Sequence, residues 1–465
     1  MHIKFSWSIS PTMAALIAVC SGYLIAPLGM AAVNVAIPAM ADDLGADAIK
    51  VGWLPTLYLL SNVAFMLPVM KIADNYGRKK MYMAGLLLNA LSAFMCAIAT
   101  HIDWILIWRL IQGASAAMIF STGVAIVTSV VPSSRRGSAL GVVASCVYIG
   151  LTLAPAVGGY LTEYIDWRAV FYFQVPIVIG LVIFIHCTLK GEWRNPDKTG
   201  FDYTGTVLFG GFATCFVIGL SMLPDLLGLI LTLLSLMLLI TFIWHQSQST
   251  APLIRVQLFK ENRVFSVSLA TSFFMYGSNF ALLFLLSLYL QYIKGYTPAF
   301  SGKILLLQAI MMAIVAPFAG KLSDRFQARI VASIGCVIAL SGYIIMQQLD
   351  PTTDALVVSI ALVLIGLGFG LFSTPNNNAI MSAIPASQVG VASASMNLGR
   401  TVGNLVGMSI VNLIIHFYLG NKVMSSQTSS ELMASISMAL TMSLVFVLCA
   451  CILSIFRGRQ IDPSL

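Results

Sequence analysis

The sequence predicts an all-α membrane protein: two pseudo-symmetric six-helix bundles with two inserted helices, fourteen transmembrane helices in all. Three observations predict it. First, 59% of residues are hydrophobic and only 9% are charged, against roughly 25% charged in water-facing domains. Second, fourteen apolar runs are centred near Ile25, Leu60, Ala90, Ala117, Ile149, Ile179, Phe212, Ser235, Ala281, Ile310, Leu340, Gly366, Gly403 and Leu444. Each is long enough for a bilayer core, which takes about 20 residues to cross about 30 Å. Third, a polar loop recurs. Lys71–Lys80 (K-I-A-D-N-Y-G-R-K-K) is echoed by Gly320–Arg329 (G-K-L-S-D-R-F-Q-A-R), with Asp324 lying 250 positions after Asp74. A polar loop repeated in an apolar chain marks a duplicated transporter.

Taken in order, the first run has a single preceding base, Lys4, and continues to Pro38 without a clear small-residue cleavage site. It reads as span one and not as a signal peptide. Spans one to six end near Leu189, so residues 1–189 form the first bundle. Residues 190–262 carry a polar segment, Lys190–Phe201, then two spans, Asp202–Met222 and Leu226–His245, then a second polar stretch, Gln246–Arg263. Residues 263–465 hold spans nine to fourteen. The halves align in places: V-P-S-S-R-R-G at Val131–Gly137 resembles I-P-A-S-Q-V-G at Ile384–Gly390, and at the same offset of 253 Gly113 meets Gly366 and Gly150 meets Gly403. That offset carries span four onto span twelve, a shift of eight. An even-numbered insertion keeps both halves in the same orientation, as parallel repeats require.

The net charge of +8 comes from 25 bases against 17 acids. A basic balance fits nucleic acid or anionic lipid equally well, so placement decides. With the amino terminus inside, 18 of the Lys and Arg fall on cytoplasmic segments, five (Lys50, Arg168, Lys294, Lys303 and Lys422) on the other side, and Arg109 and Arg400 inside spans. This is the positive-inside asymmetry. It places both termini in the cytoplasm of a multi-pass protein of the cytoplasmic (inner) membrane, with the lipid bilayer and no nucleic acid as its surroundings. The connections are too short for a soluble catalytic or sensing domain. The eight cysteines all lie in apolar runs without metal-ligand spacing to His, and read as packing residues with no metal.

Five motifs in order carry a resemblance. They are the residue 70–80 loop, with Met70 in place of an initial Gly; Arg109-Leu-Ile-Gln112-Gly113 in span four; Gly150-Leu-Thr-Leu-Ala154-Pro155-Ala-Val-Gly158-Gly159 in span five, with Ala154 where Gly is usual; F-D-Y-T-G at Phe201–Gly205; and L-Y-L-Q followed by G-Y-T-P at Leu288–Pro298. The chain resembles the major facilitator superfamily, specifically its fourteen-span drug:proton antiporter branch, over nearly its whole length.

In the polar loop Gly77 permits a tight turn, and Asp74 is suited to accept hydrogen bonds at a helix N-terminus. The resemblance implies that this helix is the start of span thirteen, near Gly390. Asp74, Gly77 and Arg78, with Asp324 as their echo, would then latch the halves on the cytoplasmic side. The other reading is a basic loop in which Asp74 balances charge. Arg109, about five residues into span four, is costly at that depth and so a functional candidate. The resemblance implies proton coupling there with Gln112 and Gly113; the alternative is an arginine reaching the outer interface beside Asp103. Gly150, Ala154 and Gly158 form one small-residue face for close helix approach, and Pro155 favours a bend. With Gly159 they make the antiporter motif, a bendable helix suited to the contact between halves. Asn397 and Arg400 share a helix face that Asn404 continues, and Arg400 is expected at the central cavity; the other reading is a structural bridge. Asn34, Tyr58, Tyr148, Phe274, Asn279 and Gln308 lie on spans that line the family's cavity.

One departure stands out. The branch commonly has an aspartate five residues before the Asn of V-N-V-A-L-P; here V-N-V-A-I-P is present at Val33–Pro38 and the acid position holds Gly29. No acid lies at the middle of any apolar run. The expected function is a monomeric proton-coupled antiporter exporting small amphipathic compounds by alternating access, powered by the proton gradient and without a cofactor. A dedicated transporter of an anionic or zwitterionic metabolite is the alternative. A receptor or a membrane-embedded enzyme fits poorly, because the chain lacks a sensing domain and a catalytic cluster.

Overall fold

The computed structural model describes residues 10–132, 136–189, 191–194, 200–249, 252–384, 389–420, 422–424 and 428–458, with side chains at 136–138, 144, 324 and 389–391 left aside. Every apolar run is a helix, and the breaks follow local chemistry. Helix α1 (Pro11–Leu44) starts at Ser10, whose Oγ accepts from the Met13 amide at 3.3 Å, and stops at Gly45 with φ of 60°. Helix α2 (Ala48–Tyr76) is capped by Asp47, which accepts from the Lys50 amide at 2.7 Å. It ends at Gly77, φ 127°, a left-handed turn that glycine makes without strain. Then come α3 (Arg78–Ala97), α4 (Ile102–Val130) and α5 (Arg136–Tyr164); the short α6 (Ala169–Tyr172) and α7 (Gln174–Thr188) make the sixth crossing.

The inserted pair is α8 (Tyr203–Ser221) and α9 (Leu226–Gln248), followed by the short α10 (Val256–Glu261). The second half holds α11 (Arg263–Leu288), which runs on as a π turn over Tyr289–Ile293, then α12 (Pro298–Arg325), α13 (Ala328–Met346), α14 (Ala355–Ser382), α15 (Val389–Leu419) and α16 (Ser429–Ile455). Fourteen helical segments among the described residues are long and apolar enough to cross a membrane.

The two halves repeat one packing scheme. Within the first, α1 lies on α5, and α2 and α3 lie on α4; within the second, α11 lies on α15, and α12 and α13 lie on α14. The glycines that repeat in sequence do matching jobs. A Cβ on Gly113 would lie 2.1 Å from the Tyr58 carbonyl oxygen, closing α4 on α2, and one on Gly366 would lie 2.3 Å from that of Gln308, closing α14 on α12. The seam between halves is α5 against α12 and α2 against α15.

Helix α8 packs beside this seam, against α2 and α15, while α9 turns most of its apolar surface outward. Their polar end is tied by Asp202, which accepts from the Gly205 amide at 2.7 Å and Gln246 Nε2 at 2.7 Å and lies 2.8 Å from His245 Nε2. Burial alone would raise the Asp202 carboxyl; these hydrogen bonds outweigh it and hold it below the usual carboxylate range. Gln246 also accepts from the Leu253 and Ile254 amides, which fixes the connector leading to α11.

Candidate functional site

A cavity of about 150 Å³ lies between the halves. Its walls are mostly apolar, with Tyr23, Phe120, Leu151, Phe280 and Phe369 giving ring and aliphatic surface. Of the residues expected there, Tyr148, Asn279, Gln308, Asn397 and Arg400 line it, and so does Asn404. Asn34, Tyr58 and Phe274 do not. Tyr58 is buried between α2 and α4, Asn34 is buried within α1, and Phe274 packs edge-on against Phe273 and Phe446.

Arg400 sets the chemistry of the wall. One terminal nitrogen donates to Asn377 Oδ1 at 2.6 Å, and the guanidinium carbon stands 4.8 Å above the Tyr276 ring. The Tyr276 hydroxyl lies 3.3 Å from that of Tyr148, which accepts from Asn377 Nδ2 at 3.3 Å. This polar network joins α5 to α11, α14 and α15 across the seam. No carboxylate lines the cavity among the described residues. The sequence reading missed Tyr276, Asn62 and Asn377; the N-N-N run at Asn376–Asn378 inside an apolar span was the available signal for the last.

Arg109 is fully buried but stands behind the wall. It donates to the Leu54 carbonyl at 3.2 Å and to Gln112 Oε1 at 2.7 Å, and lies 4.6 Å over the Tyr58 ring. It does not reach Asp103, which pairs instead with Lys50 at 2.8 Å. Arg109, Gln112 and Gly113 thus all sit at the α2–α4 contact. Gly29 likewise faces away from the cavity. A Cβ there would fall 2.1 Å from Oε1 of Gln174, an α7 side chain that is 1% exposed and fills the space a longer residue would need.

Helix α5 does lie at the contact between halves, and its small-residue stripe packs closely within its own half. Gly150 and Gly158 press on the Leu24 and Ala32 carbonyls of α1, at 2.4 and 2.3 Å from their built Cβ positions, and Ala154 is buried in the same half. The contact between halves is made by the neighbouring face. A Cβ on Gly159 would lie 2.4 Å from the Pro298 carbonyl of α12, and one on Gly302 of α12 would lie 2.3 Å from that of Pro155.

The seam differs at its two ends. At the end away from the Lys71–Lys80 loop, α11 and the π turn bond to α1. Ser287 Oγ donates to the Asn34 carbonyl at 2.8 Å, Gln291 Nε2 to that of Val35 at 3.0 Å, and the Tyr292 hydroxyl to that of Pro38 at 3.2 Å and to Asp42 at 3.0 Å. Proline 38 has no N–H, so the Asn34 carbonyl has lost its helical donor and is free for Ser287. The Ala299 amide of α12 donates to Glu163 of α5 at 2.8 Å, and Asn412 of α15 to Thr56 of α2 at 2.8 Å.

At the other end, Asp74 Oδ1 holds Arg78 at 2.7 Å, and Arg78 donates onward to Ser129 Oγ at 2.6 Å. Glu192, another residue the sequence reading missed, caps α3 by accepting from the Lys79 amide at 2.8 Å and the Lys80 amide at 3.2 Å. The Asp74 and Arg78 bonds stay within the first half, Glu192 ties that half to the segment that follows it, and none of these bonds reaches residues 263–465. Gly390 lies in the first turn of α15; the side chain of Asp324 and the surroundings of Gly390 lie outside what is described. Beside Asp74 opens a vestibule of about 440 Å³, bounded by Lys71, Arg78, Arg255 and the Ala394–Leu398 stretch of α15. Met66, Phe120 and Asn397 border both vestibule and cavity, so the two are contiguous.

A multi-pass integral membrane protein with a cavity between two repeated helical halves is a transporter in its architecture, not an enzyme. The chain belongs to the Major Facilitator Superfamily, whose model matches residues 19–408. It is 26% identical to the riboflavin transporter RibZ of Clostridioides difficile, over 97% of this chain and 98% of that one. It is 28% identical to the multidrug resistance protein Stp of Mycobacterium tuberculosis, over 87% of this chain and 76% of that one. In fold it is similar to a bacterial homologue of the human lysosomal transporter Spinster, solved in an inward-facing and unoccupied conformation. The TM-score is 0.69 at 14% identity, covering 96% of this chain and 97% of that one.

Proposed function

We propose that this transporter is a proton-coupled antiporter of the fourteen-span drug-exporting branch, moving small amphipathic compounds out of the cell by alternating access. The cavity carries the reading: an apolar chamber with a few convergent polar groups, contiguous with a vestibule at one end of the seam and sealed at the other. Such chambers suit amphipathic ligands. Relatives named as multidrug resistance proteins support the export of varied compounds. On this reading the face with Lys71–Lys80 and both termini is cytoplasmic, residues 1–189 and 263–465 are the rocking halves, and the protein works as a monomer in the inner membrane. Asp74, Gly77, Arg78 and Asp324 serve the cytoplasmic latch, here with Asp74 held by Arg78. Arg109, Gln112 and Gly113 serve proton coupling through the α2–α4 contact.

A second reading, a dedicated carrier of an anionic or zwitterionic metabolite, is favoured by Arg400 standing in a wall with no carboxylate among the described residues. A relative named for a single compound, riboflavin, is in keeping with it. Transport in proteoliposomes with an imposed pH gradient, across a chemically varied panel, separates them. Proton-driven flux of several unrelated amphiphiles is the expected result; flux of one compound class, indifferent to the gradient, would replace the first reading with the second.

A further inference from the structure

The geometry points to an aromatic carboxylate, carried as a monoanion, as the ligand class of the central cavity; this rests on the cavity being the transport site. Three observations lead there. The wall holds one cation, Arg400, and no described carboxylate. Its described partners, the Asn377 amide, the Tyr148 hydroxyl and the Tyr276 ring, include no carboxylate, so its charge is oriented without a carboxylate to cancel it. Its Nε–H has no partner. A part-buried cation without a counter-ion is costly, and an arriving carboxylate offsets that cost with charge-assisted hydrogen bonds. Arg109 does not compete, because it lies behind the wall against Tyr58.

The second observation is the set of amide oxygens left unpaired around the same chamber, those of Asn62, Gln308 and Asn404. Asn62 and Gln308 are each 3% exposed. Buried acceptors without donors ask for O–H or N–H groups on the ligand. The third is the ring surface of Phe120, Phe280 and Phe369, which favours a flat apolar body. Together they describe a planar ring system with a carboxylate for Arg400 and a hydroxyl or ring N–H for the amides. A cation meets the reverse pattern, a like charge and no counter-ion.

The test uses full-length protein in nanodiscs, with empty nanodiscs subtracted, and three probes: 3-hydroxy-2-naphthoate, its neutral amide 3-hydroxy-2-naphthamide, and 2-naphthylmethylammonium. Isothermal titration should give the carboxylate a Kd at least tenfold below that of the amide, and the ammonium should bind more weakly than either. Arg400→Gln should erase the carboxylate's advantage while leaving the amide within about threefold. Arg400→Lys, checked for folding by size-exclusion profile, should keep a preference for the anion. Gln308→Ala should weaken carboxylate and amide alike. If the amide binds, responds to Gln308→Ala and equals the carboxylate, or if the preference survives Arg400→Gln, the anion assignment is wrong and the cavity reading stands. If no probe binds, or binding ignores both positions, the cavity is not the binding site, and both fall.

Discussion

The two ends of the seam are built from different kinds of contact. At the sealed end, side chains of one half reach backbone groups of the other: Ser287, Gln291 and Tyr292 to the carbonyls of α1, and Glu163 to the Ala299 amide. At the vestibule end, the bonds described for Asp74 and Arg78 close within the first half, and Glu192 joins that half to the segment after it, not to the second half. Backbone acceptors at a proline-interrupted helix are fixed in place and need no rearrangement to be used. Each such bond is worth only about 0.5–1.5 kcal/mol net, so several together hold a seam and still release it. One end is therefore bonded across the seam, while the other has its described polar groups occupied locally.

The largest effects should come from neighbouring glycines on α5 that face different partners. Gly158→Leu drives a side chain into α1 within the first half and should lower the melting temperature in detergent, since overpacking costs about 1–3 kcal/mol. Gly159→Leu meets α12 across the seam instead. It should leave the protein folded and abolish most transport, with hydrogen exchange rising at Pro298–Gly302. If both variants lose stability equally, the division of labour between the two faces is wrong.

Asp74→Asn comes next. It should remove most flux while leaving ligand affinity near that of the parent, because Asp74 is remote from the cavity and acts on the balance between conformations. Matched losses in affinity and flux would remove it from the latch. Smallest is the pair Ser287→Ala with Gln291→Ala. Losing two bonds of about 1 kcal/mol each should shift the balance between conformations roughly tenfold or more. Hydrogen exchange at Asn34–Ala41 should then rise without loss of fold; unchanged exchange there would deny these bonds a sealing role.

The fourteen crossings, the doubled plan and the inserted pair were legible because each rests on length, hydropathy or repetition. So were Arg400 and Asn397, polar residues whose depth in an apolar span left few other places for them. What the sequence hid was facing. A helix apolar all round has no polar face to show which side meets a neighbour, so Asn34 and Tyr58 were assigned to a cavity that they do not border. The same blindness left the partner of the Gly150–Ala154–Gly158 stripe open and left Gly29 looking like a vacated acid site, when Gln174 fills its space. Glu192 caps a helix that begins more than a hundred residues earlier, and the π turn at Tyr289–Ile293 shifts the register of Gln291 and Tyr292. Neither leaves a mark in local pattern.

The lone guanidinium of Arg400 has an electrical consequence. If the cavity alternates between the two faces, the unloaded carrier presents one positive charge first to one solution and then to the other, while a carrier holding a monoanion presents none. The membrane potential, worth about 2.3 kcal/mol per charge per 100 mV, would act on the empty carrier's return and spare the loaded step. The potential would then set the turnover of net export but not the rate of exchange of bound ligand for ligand across the membrane. Clamping the potential with potassium and valinomycin should therefore change net efflux and leave counterflow unchanged; equal sensitivity of the two would mean that the charge at position 400 is neutralised in both states.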